Sequence, residues 1–186
     1  RDVTATVPSI PLMASSIMSK KLAAGADVIV LDVKCGSGAF MKNAHDAEAL
    51  SQMMVNIGQK AGRKVAAVIS DMDTPLGTNI GNTLEVIEAV DILRTGKKCD
   101  LTEVCIELAS NILQLAFNID DTQAKAMINQ VISDKKAYNK LNRFLSFKLS
   151  AQAENQFHIS TPSGTFDLSI QRIGLLTFLR RTVSSG

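Results

Sequence analysis

Val28-Ile29-Val30-Leu31-Asp32-Val33 and Val65-Ala66-Ala67-Val68-Ile69-Ser70 are two short β-branched runs, and residues 44 to about 61 lie between them. A near-continuous apolar run of this length predicts a strand of a parallel sheet, buried on both faces. In the intervening segment Ala47, Leu50, Met54 and Ile57 recur at three- and four-residue spacing, so a helix carries the chain from the end of one strand to the start of the next. One βαβ unit results, and it sets the fold class as α/β, a parallel-sheet core with flanking helices.

Upstream, Ser9 stands where a helix cap belongs, Pro11 in the first turn, and the helix runs through Met13, Ile17 and Lys20 to a stop at Gly25. After each strand comes a segment rich in turn-formers: Lys34-Cys35-Gly36-Ser37-Gly38-Ala39-Phe40 after the first, and Asp71-Met72-Asp73-Thr74-Pro75-Leu76-Gly77-Thr78-Asn79-Ile80-Gly81-Asn82 after the second. In open α/β sheets ligands bind at the carboxyl ends of the strands, so these two loops are the first places to look for function. Helices are predicted over about 83–93, 101–117, 121–133 and 136–149. From Ala151 on periodicity fades; Ser160-Thr161-Pro162-Ser163-Gly164-Thr165 is a turn signal, and only 170–179 reads as a further short element.

The 186 residues, 46% hydrophobic and 20% charged, have the balance of a globular chain. A net charge of +2 gives no electrostatic footprint for nucleic acid or for an anionic membrane. No apolar run approaches the ~18 residues of a membrane span. Cys35, Cys99 and Cys105 form no Cys-x-x-Cys pair and, with only His45 and His158 beside them, no zinc constellation, which fits a reducing, cytosolic setting. Arg1-Asp2-Val3-Thr4 resembles neither a signal peptide nor a natural start, so a partial chain is expected. Gly36-Ser37-Gly38 lacks the third glycine of the dinucleotide fingerprint and the Lys-Ser/Thr ending of a phosphate loop. On the motif alone, a ligand loop and a tight turn without ligand both stay open.

A longer string discriminates. Arg1-Asp2-Val3-Thr4-Ala5-Thr6-Val7, Ser9-Ile10-Pro11-Leu12, Ser16-Ile17-Met18-Ser19-Lys20-Lys21-Leu22-Ala23-Ala24-Gly25 and Asp32-Val33-Lys34-Cys35-Gly36-Ser37-Gly38-Ala39-Phe40-Met41 closely resemble the middle of thymidine and pyrimidine-nucleoside phosphorylases. Asp71-Met72-Asp73-Thr74-Pro75-Leu76-Gly77, Gly81-Asn82 and Leu84-Glu85-Val86-Ile87-Glu88-Ala89 resemble the same family in the same order. The resemblance is specific over residues 1 to about 117, weakens to a helical pattern through about 149, and is lost in the tail. It implies a fragment of a larger two-lobed enzyme. Residues 1–25 would belong to a helical lobe whose other helices are absent, leaving the first helix's apolar face without a partner; residues 26–150 would belong to the α/β lobe, and 151–186 form a divergent tail.

The implied activity is reversible phosphorolysis of a pyrimidine nucleoside by orthophosphate to free base and pentose 1-phosphate, with no required cofactor, in a cytoplasmic homodimer. The resemblance assigns Arg1, Ser16 and Lys20 to the pyrimidine, with Arg1 and Lys20 as the catalytic cations. Ser16 and Lys20, four apart, share one helix face and can converge on one ring. Val7, Met13 and Phe40 correspond to the apolar wall around the base. Leu76, Asn79 and Glu88 correspond to a monovalent-cation site, K⁺ in some bacterial members, built from two carbonyls and one carboxylate; for Glu88 alone the ordinary reading is an exposed helical carboxylate. The family's phosphate-binding groups and its acid-like His match nothing in this chain. His45 and His158 read as surface residues, and Pro8 stands where an acidic residue is common in relatives. A phosphoribosyltransferase of similar architecture and a non-catalytic fragment or interaction module are the alternative classes.

Overall fold

Helix α1 (Ile10–Ala23) leads into strand β1 (Val28–Cys35), helix α2 (Ala44–Lys60) and strand β2 (Lys64–Asp71). The computed structural model describes residues 3, 6–150, 156–161, 164–169 and 178–181. β1 and β2 pair in parallel, from Val28 opposite Lys64 to Cys35 opposite Asp71, which is the expected βαβ unit. Both strands run slightly past the apolar runs that predicted them. The Met72 N–H donates to the Cys35 carbonyl at 2.7 Å, so the ladder continues into the two loops.

Burial on both faces does not hold for β1. Ile29, Leu31 and Val33 are buried, whereas Val30 and Lys34 are half-buried and Asp32 is exposed. Asp32 and Lys34 stand at period two from Val30, and they share their face with Ser70 of β2. The apolar face joins Val65 with Ala47, Leu50 and Met54 of α2 and with Met13, Ala14 and Met18 of α1 in one core. The first helix therefore has a partner surface in this chain, contrary to the expectation from the sequence, because its Met and Ala side chains reach α2. Burying a Met or Leu side chain contributes about 1.5–3 kcal/mol, so this contact fixes α1 against the sheet.

Local signals explain most boundaries. Ser9 does occupy the cap position of α1, but its side chain makes no capping bond; its carbonyl accepts the Met13 N–H at 2.9 Å instead. Gly25, at φ 76°, ends the helix with its N–H on the Leu22 carbonyl. α2 has the cap that the sequence reading did not name: Asn43 Oδ1 accepts the Asp46 N–H at 2.9 Å while Asn43 Nδ2 donates to Asp46 Oδ2.

Helices α3 (Asn82–Thr95), α4 (Asp100–Phe117), α5 (Asp121–Ser133) and α6 (Lys136–Ser150) follow within a few residues of their predicted bounds. α4 packs on β1 and β2, and Lys64 Nζ reaches the Leu115 carbonyl at 2.9 Å. The tail is more regular than its sequence was taken to be. β3 (Gln156–Thr161), β4 (Gly164–Ser169) and β5 (Phe178–Arg181) form an antiparallel sheet in the order β3-β4-β5, with the turn signal between the first two. Of the element expected over 170–179, residues 170–177 lie outside the described residues. By its internal contacts the chain divides into one unit of Arg1–Leu76 with Asp100–Ile128 and another of Gly77–Cys99 with Asn129–Gly186.

Candidate active site

The glycine loop after β1 is closed on itself and on the loop after β2. The Gly36 N–H donates to the Met41 carbonyl at 2.9 Å, Ser37 N–H to Asp73 Oδ1 at 2.7 Å, Gly38 N–H to the Met72 carbonyl at 2.9 Å, and Ala39 N–H to the Gly36 carbonyl at 3.1 Å. Four successive donors are thus occupied, and no row of N–H groups is left to cradle a phosphate. Gly36-Ser37-Gly38 is thus a tight turn whose backbone donors are bonded within the protein. Glycine is required by contact as well as conformation: at Gly36, φ 132°, a Cβ would lie 2.7 Å from Asp73 Oδ1, and at Gly38 it would lie 2.8 Å from the Met72 carbonyl oxygen. The Ser37 N–H, and after it the Ser37 hydroxyl, hold the Asp73 carboxyl below its ordinary range.

Three of the expected base-wall residues share one cavity. Val7, Met13 and Phe40 line a concavity of about 240 Å³ together with Pro8, Ile10, Met41 and Asp46. α1 supplies Ile10 and Met13 from its first turn, and the glycine loop supplies Phe40 and Met41. Met13 is buried, whereas Phe40 is 78% exposed. Ser16, half-buried, and Lys20, exposed, follow Met13 along α1 at intervals of three and four and are not among the cavity's lining residues. Arg1 lies outside the described residues. Ile10, Met41 and Asp46 are lining residues that the sequence reading missed. Among the described lining residues Asp46 carries the one charge; its first-turn position on α2 is readable, but its proximity to Met13 and Phe40 exists only in the fold. His45 is exposed, 3.5 Å from Asp46, in keeping with a surface residue, and the side chain of His158 lies outside the described residues.

A second polar group missed by sequence spans the carboxyl ends of the strands. Lys34 Nζ lies 2.8 Å from Asp32 Oδ2 and 2.9 Å from Ser70 Oγ, and Ser70 Oγ donates to Asp32 Oδ1. Its members satisfy one another, which ties β1 to β2 where the loops begin.

Glu88 is buried, at 8% exposure, which overturns its reading as an exposed helical carboxylate. Its Oε1 accepts the Thr78 N–H at 2.9 Å and the Thr78 hydroxyl at 2.8 Å, and its Oε2 accepts the Asn79 N–H at 3.0 Å. The Thr78 N–H first, then its hydroxyl, with Asn79 N–H and the Lys97 charge as smaller contributors, hold this carboxyl below its ordinary range. Glu88 thereby organises the start of its own unit, to which Asn79 also belongs; Leu76 belongs to the other. Carboxylate oxygen suits a hard monovalent cation, so Glu88 fits such an ion chemically. Among the described residues no group of three His, Cys, Asp or Glu side chains forms a metal cluster, and no helix is long and apolar enough to cross a membrane.

Residues 1–138 match the family model described as "Glycosyl transferase family, a/b domain". The chain is 52% identical over 147 residues to the thymidine phosphorylase of Metamycoplasma hominis, covering 78% of this chain and 54% of that protein. It is 53% identical over 164 residues to the pyrimidine-nucleoside phosphorylase of Geobacillus stearothermophilus, covering 88% and 37%. The corresponding protein of Staphylococcus epidermidis is 55% identical over 147 residues, covering 78% and 34%. The chain thus spans between about a third and about half the length of these curated relatives. A match that covers 88% of the 186 residues must extend past Ala151, so the likeness reaches into the segment where the sequence reading had lost it. With the family model matching residues 1–138 of the 186, the chain belongs to this glycosyl transferase family.

Proposed function

We propose that this chain supplies the pyrimidine-binding part of a nucleoside phosphorylase that converts a pyrimidine nucleoside and orthophosphate to free base and (deoxy)ribose 1-phosphate. The observation that carries this reading is the convergence of Val7, Met13 and Phe40 on one cavity, with Ser16 and Lys20 following along the same helix. In the reaction a phosphate oxygen bonds to the anomeric carbon while the glycosidic carbon–nitrogen bond breaks, and its electron pair leaves with the base. Negative charge therefore develops on the pyrimidine in the transition state. Lys20 and Arg1 donate to the carbonyl oxygen where that charge collects, and Ser16 accepts from the ring imide N–H. The apolar wall holds the ring's plane and lowers the local dielectric, which strengthens both interactions.

The test is an assay of the whole-length protein with uridine and thymidine. Release of free base that requires orthophosphate and yields the sugar 1-phosphate in equal amount is expected. Equal release without phosphate, or dependence on a phosphoribosyl donor instead, would overturn the assignment.

The reading includes a cytoplasmic homodimer and a monovalent cation with Glu88 as its charged ligand, both implied by family resemblance; for the cation, the carboxylate oxygen of Glu88 is the supporting chemistry. Melting temperature and turnover of the whole-length protein should both be higher in KCl than in tetramethylammonium chloride of equal ionic strength. Identical values in the two salts would remove the cation from the account.

A further inference from the structure

Phe40 stands in a loop whose main tie to the rest of the fold is a carboxylate from another loop. Its ring is 78% exposed, so packing does little to fix it, and its place depends on the backbone from Gly36 to Met41. Within that backbone the Gly36 N–H to Met41 carbonyl bond closes the turn. Outside it, Asp73 Oδ1 receives the Ser37 N–H at 2.7 Å and the Met72 carbonyl receives the Gly38 N–H at 2.9 Å. Ser37 Oγ lies 3.5 Å from the Asp73 carbonyl, at the limit of a hydrogen bond, and Lys42 Nζ binds the Ser37 carbonyl from within the same segment. An ionised acceptor on a backbone N–H is the stronger class of hydrogen bond, so Asp73 outweighs the neutral contacts. The glycines on either side of Ser37 leave that backbone free to move once the tie is cut.

We propose that Asp73 is a positioning residue for the base cavity: its carboxylate anchors Ser37 and so sets where Phe40 stands, without itself touching the base. The inference rests on the reading of the Val7, Met13 and Phe40 cavity as the base site.

Hydrogen exchange and steady-state kinetics of the whole-length protein test it together. In Asp73→Ala the Ser37 amide should exchange at least about tenfold faster, since removing one partner of such a bond shifts a local opening equilibrium by that order, while the Leu50 amide in α2 is unchanged. The nucleoside KM should rise about tenfold with kcat less affected, and the phosphate KM should stay within about twofold. Asp73→Asn, which keeps an acceptor oxygen, should fall between the two. Unchanged Ser37 exchange, or equal rises in both KM values, would overturn the proposal. Phe40→Ala, measured in parallel, separates the two ideas. If it raises the nucleoside KM while Asp73→Ala does not, the positioning role is wrong and the base site stands. If Phe40→Ala has no effect, the base site itself is misread and the positioning role falls with it.

Discussion

Replacing Lys20 by alanine in the whole-length protein is expected to lower kcat/KM for the nucleoside by about 10²- to 10³-fold, the usual effect of removing one donor aimed at developing charge. The side chain is exposed on α1 and makes no ion pair among the described residues, so its ammonium is available to a ligand. It follows Ser16 by four residues and Met13 by seven, which keeps all three on one helical face with the cavity at its upstream end. The base carries more charge in the transition state than in the bound nucleoside, so the loss should appear in kcat as well as in kcat/KM. Lys20→Arg keeps the charge but changes its geometry, and should recover only part of the rate. Lys21→Ala is the control: the side chain is exposed, one position further round the helix, and its removal should leave kinetics and melting temperature as in the parent. Lys20→Ala kinetics within tenfold of the parent would sink the assignment of the base cation.

How far the molecule was legible depends on the range over which each feature is determined. The βαβ unit is local in origin, and Ala47, Leu50 and Met54 announced the buried face of α2 through spacing alone. The one-sided burial of β1 was also written there, since Asp32 and Lys34 alternate with Leu31 and Val33; the weight given to the apolar run hid it. The same holds for the tail. Phe157 and Ile159 alternate with polar residues, as do Phe166 and Leu168, and the register pairs Phe157 with Leu168 and Ile159 with Phe166.

Other features have no local signature. Glu88 looks like any helical acid until the chain folds Thr78 and Asn79 back onto it. Asp46 reads as a first-turn acid, and only the packing of α1 on α2 brings it to the cavity of Val7 and Met13. The glycines of the first loop were visible, but their cause was not, because Asp73 and Met72 that crowd them are 34 or more positions away along the chain. What resemblance added was role rather than structure: nothing in the pattern of an exposed lysine one turn after a serine distinguishes a base cation from a solvated surface residue.

A protein consisting of these 186 residues alone is expected to show no phosphate-dependent release of base at an enzymatic rate. It can offer donors to the pyrimidine through Ser16 and Lys20, and an apolar wall through Val7, Met13 and Phe40. For orthophosphate the described residues offer no comparable site. In the glycine loop that follows β1 the N–H groups of Gly36, Ser37, Gly38 and Ala39 are already bonded within the protein. An attacking dianion that is not held in place forfeits the positioning that can lower a barrier by roughly 7–11 kcal/mol, and contacts to the base cannot replace it, because they act on the leaving group and not on the nucleophile. Folding is a separate matter: α1, α2 and the two strands share a core, so the chain should retain helix and strand signals even where turnover is absent. The measurement is circular dichroism of the purified 186-residue protein followed by release of uracil and thymine from their nucleosides, with and without phosphate. A folded protein with phosphate-dependent turnover at about 1 s⁻¹ or faster would mean that these residues do hold phosphate in place.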